Sequence, residues 1–400
     1  MEYSTLAPWQ EISETDVVYD LGSLYDRFQK LKDPRKAQGK RYSLVTLLVV
    51  IFLAKLCNQD TPVAIADWAR NHAVELAELL QLKRTWMPHH NTIRRVFQAI
   101  VDAAEFERMV GEYHQQQPGS GEQWAIDGKT LRGTRIPDAV KATHVLSVYD
   151  VHAQRVVAQA VVEKKENEIV AAPQALQQVC VEGKIITGDA MHAQRAVSAD
   201  IVAQGGDYLW VVKENQERLY QDIERLCAPD TPLPGCGKLT TDFQSAEQVN
   251  GGHGRIEKRS IQTSALLNGY VEWPGSGQVY RLERSLTWLR RGQVIKTSHD
   301  VEYGITSLTR PKASAQRVLH VRRQHWLVET GLHYRRDVTF HEDATRMTQG
   351  TAGCILAMIH NLALGLIKQA GYHNAAQARR YFDGHINQAF ALLLMRVPRS

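Results

Sequence analysis

The sequence predicts a mixed α/β protein with an all-α N-terminal domain and a β-rich insertion late in the chain. Three observations carry this. Residues 1 to about 116 read as a succession of short helices. The polar stretch Gln115–Gly121 (QQQPGSG) then ends that pattern, and three strand-like runs follow before helix and strand alternate. Between 229 and 310, strand-like runs separated by glycine turns such as GGHG and PGSG replace the alternation.

The elements follow in order. Helices are expected at 17–31, 43–57, 61–71, 73–82, 90–101 and 104–116. Asp60, Thr61 and Pro62 make a helix start, with proline at the first helical position. Pro88 to Asn91 precede TIRRVFQAI, whose polar side carries Arg94 and Arg95. A short helix, a turn and a basic helix suggest a helix-turn-helix; a small bundle with a charged surface is the plainer alternative. Strands are expected at Trp124–Asp127, His144–Tyr149, Arg155–Val162, Lys184–Thr187 and Tyr208–Val212. Helices fall at Ile169–Cys180, Met191–Gln204 and Gln216–Cys227. PDTPLPGCG opens the insertion, with strands near Val279–Trp288 and Val294–Ser298. Helices resume at Ala313–Arg336, Thr351–Gln369 and Ala375–Asp383. The domains are thus 1–116, 122–228, 229–310 and 311–400.

Composition narrows the class. The net charge of +5 is a mild excess, compatible with a polyanion partner. Basic residues crowd 27–41 and 317–336. Five scattered cysteines without a CxxC pair argue against a zinc module or a disulfide framework, and for a reducing compartment. The acidic N-terminus shows no signal peptide. The apolar run Leu44–Ala54 is too short to cross a bilayer and reads as a buried helix.

Three acids stand in distinctive settings. Asp127 lies in WAIDGKTLRG, Asp189 in KIITGDAMHAQ and Glu329 in RRQHWLVETGLHYRRDV. A lone strand-terminal Asp is ordinarily a turn or cap residue. Two that end apolar runs in the same way, beside a third acid, suggest an oxygen-ligand site for divalent metal, a device of phosphodiester chemistry. On an α-helix, Arg322, His325, Glu329, His333 and Arg336 fall on one face, which is either a solvated ion-paired surface or a cationic frame around a metal ligand. Asp337, Glu342 and Asp343 rival Glu329 as third acid. Lys129, Arg132 and Lys213 are candidate phosphate ligands or simple surface charge. His192, His253 and His360 lack metal-ligand spacing.

Taken together, DPRKAQGKRYSLVTLL, AIADWA, HHNTIRRVF, DGKTLRG, TGDAMHAQ, YLWVVKENQ, HGRIEKR and HWLVETGLHYRRDVTFHEDATR resemble the DDE transposases of bacterial insertion sequences, in the ISAs-type group with the H-repeat-associated proteins. The resemblance covers nearly the whole chain. It implies a ribonuclease-H-like catalytic core and an insertion before the third acid. It also implies that Asp127, Asp189 and Glu329 bind two magnesium ions, for which manganese can substitute. Related enzymes place Tyr, Arg and Lys around the Glu, where this chain has Arg322, His325 and Arg336. The implied partners are double-stranded DNA, at terminal inverted repeats and target, and further copies of the chain in a dimer or larger assembly on that DNA. The implied location is the bacterial cytoplasm and nucleoid, with no membrane. The implied activity is hydrolysis at transposon ends followed by strand transfer. A nuclease of the same scaffold without strand transfer, and an inactive DNA-binding derivative, are the alternatives.

Overall fold

The computed structural model describes residues 17–117, 119–135, 142–162, 168–228, 242–252, 254–349 and 351–395. The N-terminal stretch, Pro118, His253, and the insertion's opening with Cys236 lie outside these residues. In chain order the helices and strands are α1 (Leu24–Gln29), α2 (Leu44–Leu56), α3 (Pro62–Asn71), α4 (Ala73–Leu79), α5 (His90–Arg95), α6 (Ala103–Gln115), β1 (Gln123–Thr130), β2 (His144–Asp150), β3 (Arg155–Val162), α7 (Glu168–Leu176), β4 (Ile185–Gly188), α8 (Arg195–Ala203), β5 (Asp207–Val212), α9 (Glu217–Cys227), β6 (Gln244–Gly252), β7 (Arg255–Ser264), β8 (Gln278–Arg290), β9 (Gln293–Thr306), α10 (Ala315–His325), α11 (Ala352–Gln369), α12 (Ala375–Asp383) and α13 (Ile386–Leu394). The result is a mixed α/β protein with a helical N-terminal region, as the sequence predicts.

The chain forms two compact units. The first comprises Met1–Ser120, Gly128–Asn167 and Glu329–Ser400; the second comprises Gly121–Asp127 and Glu168–Val328.

The first unit is built around α2. Ser43 caps this helix by accepting a hydrogen bond from the Thr46 N–H. Every α2 residue except Val45 is buried, as a helix apolar on all sides requires. It packs against α1, α3, α11, α12 and α13. Helix α11 is long and apolar enough by composition to cross a membrane, but nearly all of it is buried in this core. The antiparallel pair β2–β3 lies against α6 and α11.

The second unit holds β1, β4 and β5 in parallel, and then β9, β8, β7 and β6 in antiparallel order. The long strands of the expected insertion therefore continue the central sheet through the β5–β9 pairing. Gly188 makes close strand packing possible. A Cβ there would stand 2.9 Å from both Ile126 and Trp210 side-chain atoms.

Three sequence readings need correction. The connection between α4 and α5 spans residues 80–89, too long for the tight turn of a helix-turn-helix. The helix at 90–101 turns π-helical at Val96–Ile100. The single helix over Ala313–Arg336 is not continuous: α10 stops at His325, and Glu329–His333 and Arg335–Thr339 are π-helical.

Candidate active site

Strands β1 and β4 run parallel with Ile126 opposite Gly188. The next residues, Asp127 and Asp189, therefore sit at the same edge of adjacent strands. Both strands are buried up to this point, because their alternating side chains are covered on both faces. Asp127 is half-buried, while the Asp189 side chain is 66% exposed.

Asp189 is held from one side by His325, the last residue of α10. The imidazole Nε2 stands 3.6 Å from Oδ1 of Asp189. The proton that His325 turns toward it, with the positive Arg322 beyond, lowers the Asp189 pKa to about 2 against the opposing effect of burial. His325 is itself buried, and its Nδ1 lies 3.0 Å from the Thr187 hydroxyl on β4. That hydroxyl accepts a hydrogen bond from the Gln123 amide and has one proton to give, with the Trp124 carbonyl 3.4 Å away as the longer alternative. Given over the shorter distance to His325, this proton places the imidazole's own on Nε2, facing Asp189.

His192 closes the other flank. It is fully buried, with Nε2 3.6 Å from the buried Glu168 carboxylate. Burial lowers its pKa, against the pull of Glu168, Asp127 and Asp189. Sequence reading missed Glu168, Thr187 and this role for His192; the only signal was the position of His192, three residues after Asp189.

The expected cationic frame is largely spoken for. Arg322 is buried and binds Glu302 of β9 through two nitrogens at 2.6 and 2.7 Å, so it is an internal ion pair and not a DNA contact. Arg336 is wholly buried against Glu342, with contacts of 2.8 to 3.0 Å, and is corrected in the same way. Lys129 is buried and donates to Asp337 at 2.7 Å. His325 faces Thr187 and Asp189, not solvent. Four of the predicted cations stay open. The Arg132 side chain is 82% exposed and makes a long 3.9 Å contact with Asp343. Arg94 and Arg95 are exposed on α5. Lys213 is exposed and lines a hollow of about 780 Å³ with Ala190, Met191, Tyr220 and Tyr303. Asn215 fixes the wall beside Asp189 by donating to the Ala190 carbonyl at 2.7 Å.

Glu329 is exposed and opens the π-helical segment Glu329–His333. It is the first residue of the returning segment of the first unit. Its rivals are engaged elsewhere in that unit. Glu342 is buried between Arg336 and His360; burial pushes its pKa up, but these partners pull it well below the carboxylate range. Asp337 holds Lys129, and Asp343 accepts from the Arg132 backbone N–H.

Asp127 and Asp189 are the oxygen donors a hard divalent cation takes. Among the described residues, no group of three or more His, Cys, Asp or Glu side chains is placed to hold a metal.

Comparison with known proteins identifies the family. The family model "Transposase DDE domain" matches residues 118–366, and "DDE_Tnp_1-associated" matches 25–114. "Putative transposase YncI" of Escherichia coli O157:H7 is 30% identical over 86% of this chain and 87% of its own. "H repeat-associated putative transposase YhhI" of Escherichia coli K12 is 27% identical over 90% of this chain and 94% of its own. A cryo-EM structure of the piggyBac transposase synaptic complex with hairpin DNA aligns with 92% of this chain and 77% of that one, at 9% identity and a TM-score of 0.41. The family match extends over more than half of the sequence and the relatives over nearly all of it, so this chain belongs to the DDE transposase family, in its H-repeat type.

Proposed function

We propose that this protein is the transposase of an insertion sequence. It cuts DNA at the element's ends to free 3′-hydroxyls, and it joins those hydroxyls to target DNA. Asp127, Asp189 and Glu329 are the proposed catalytic acids on a ribonuclease-H-like core. The observation that supports this most is the β1–β4 register, which sets Asp127 and Asp189 side by side at one sheet edge.

Two magnesium ions, when bound, would activate the attacking oxygen and stabilise the leaving one. Asp127 and Asp189 would hold them. Glu329 joins as the third acid by its place in the family motif. His325 keeps the Asp189 carboxylate oriented and ionised. Arg132, Lys213, Arg94 and Arg95 are the candidates for phosphate contact, because each keeps its charge exposed.

The test uses the purified chain, magnesium, and a duplex carrying the inverted repeats that flank its gene. The expected products are a nick that frees a 3′-hydroxyl and a joined strand. Asp127→Asn, Asp189→Asn and Glu329→Gln should each abolish cleavage and leave duplex binding intact. Cutting by Asp189→Asn at the parental rate would overturn the assignment. Cutting without joining would mark a nuclease, and binding without cutting a DNA-binding derivative.

A further inference from the structure

The HGRIEKR motif and the strands around it have no part in the site above, yet their far end carries an ordered charge pattern. Across β7, β8 and β9, Arg255 stands opposite Trp288, and Trp288 opposite Lys296. Directly opposed residues share a sheet face, so these three form a row. The Lys296 Nζ lies 5.1 Å from the centre of the Trp288 ring. Arg290, two residues beyond Trp288, pairs with Gln293 across the hairpin, just past a shift in register at Trp288–Leu289. Arg291 and Gly292, with φ of 52° and 79°, form the two-residue turn that closes it.

Charge balance separates this end from the rest of the same strands. Further along, Lys258 pairs with Glu247, Arg259 and Arg284 with Glu257, and Arg281 with Glu283. Arg255, Arg290, Arg291 and Lys296 are all exposed and form no ion pair with any described residue. Four cations crowd one end of a hairpin and repel one another, with Glu257, already paired to Arg259 and Arg284, acting on Arg255 alone of the four. A partner with closely and regularly spaced negative charge relieves that repulsion, and the DNA backbone supplies it.

We propose that this end of the β7–β9 sheet grips the sugar–phosphate backbone of double-stranded DNA. Arg255, Arg290, Arg291 and Lys296 take phosphates, and Trp288 is the rigid apolar surface between them. The proposal rests on the DNA-joining function above and adds a contact surface that the acids do not require.

The experiment compares the full-length parent with an Arg255→Ala, Arg290→Ala, Lys296→Ala triple variant. Binding to a fluorescein-labelled duplex with the flanking repeats is read by anisotropy at rising sodium chloride. Each lost phosphate contact lowers the slope of log affinity against log salt by about 0.9, so the triple variant should lose about 2 to 3. Its thermal melt should match the parent, since all three side chains are exposed. Should it fail to fold, Arg291→Glu alone, in the turn, should still reduce the slope by about one. A folded variant with the parental slope overturns the tip proposal and leaves the transposase reading standing. A parent that binds no duplex at low salt overturns both. A variant that loses binding to polyglutamate but keeps its DNA slope assigns the tip to an acidic protein and overturns the proposal as stated.

Discussion

His325 touches Asp189 with one edge of its ring and Thr187 with the other. A group that orients a metal-binding carboxylate typically matters about 10- to 100-fold in activity or metal affinity. His325→Ala should therefore slow cleavage by roughly that factor and weaken manganese binding measured by electron paramagnetic resonance. His325→Gln keeps an amide N–H near the position of Nε2 and should recover most of the loss. Equal behaviour of the two variants, with manganese affinity unchanged in both, would remove His325 from the site. Sequence reading found the two aspartates because an apolar run ending in Asp is a local pattern. It could not find the partners of Arg322 and Arg336. The first is neutralised by Glu302, twenty residues away on β9, and the second by Glu342 beyond the end of the helix. Both look like free cations until the chain is folded.

At the scale of the element, the informative segment runs from α10 to Thr339. Spacing of three and four defines a face only while each turn holds 3.6 residues. The π-helical stretches break that rule, and no proline marks them in the sequence. Such stretches concentrate at functional sites, which fits the presence of Glu329 at the start of one. Gly331, in the same stretch, lies against Tyr149 of β2, and a Cβ would come within 2.5 Å of its hydroxyl. Gly331→Ala should cost about 1 to 3 kcal/mol by overpacking, read from urea unfolding. Adding Tyr149→Phe removes the colliding oxygen and should restore most of the stability. No rescue would mean the backbone, not the hydroxyl, sets the limit. The rest of the secondary structure was legible where the apolar period was long, as in α2, β3 and α11. The sequence reading stopped at the last expected helix, Ala375–Asp383, and so missed α13 beyond it.

For the whole molecule, two buried histidines predict sensitivity to mild acid. Burial, with Arg155 and Arg27 nearby, lowers the His114 pKa to about 3. Burial and the Lys55 ammonium lower that of His360 to about 4, despite the Glu342 carboxylate. Both lie below the free imidazole value, near 6.5, so at these two sites the unfolded chain binds more protons than the folded one between about pH 4 and 6.5, while the buried Glu107, whose pKa is raised to about 7, offsets part of this with the opposite sign. Stability should fall as pH drops through that window, by about 1.4 kcal/mol per unit for each fully titrating group. Urea unfolding at pH 7, 6 and 5 measures this, and His114→Leu should flatten the curve. A curve already flat in the parent would show that these rings are protonated in the native state.

One feature of the first unit has a bearing on the fate of damaged gene copies. Arg379 of α12 is wholly buried, binds the Lys55 carbonyl at 2.9 Å and the Asp60 carboxylate at 2.6 Å, and lies 4.3 Å from the Phe340 ring centre. A reading-frame break upstream of codon 379 therefore leaves Asp60 without its guanidinium and exposes the side of α2 that α12 covers. Such a fragment should be cleared by proteolysis. It should not persist as a short repressor of its own element.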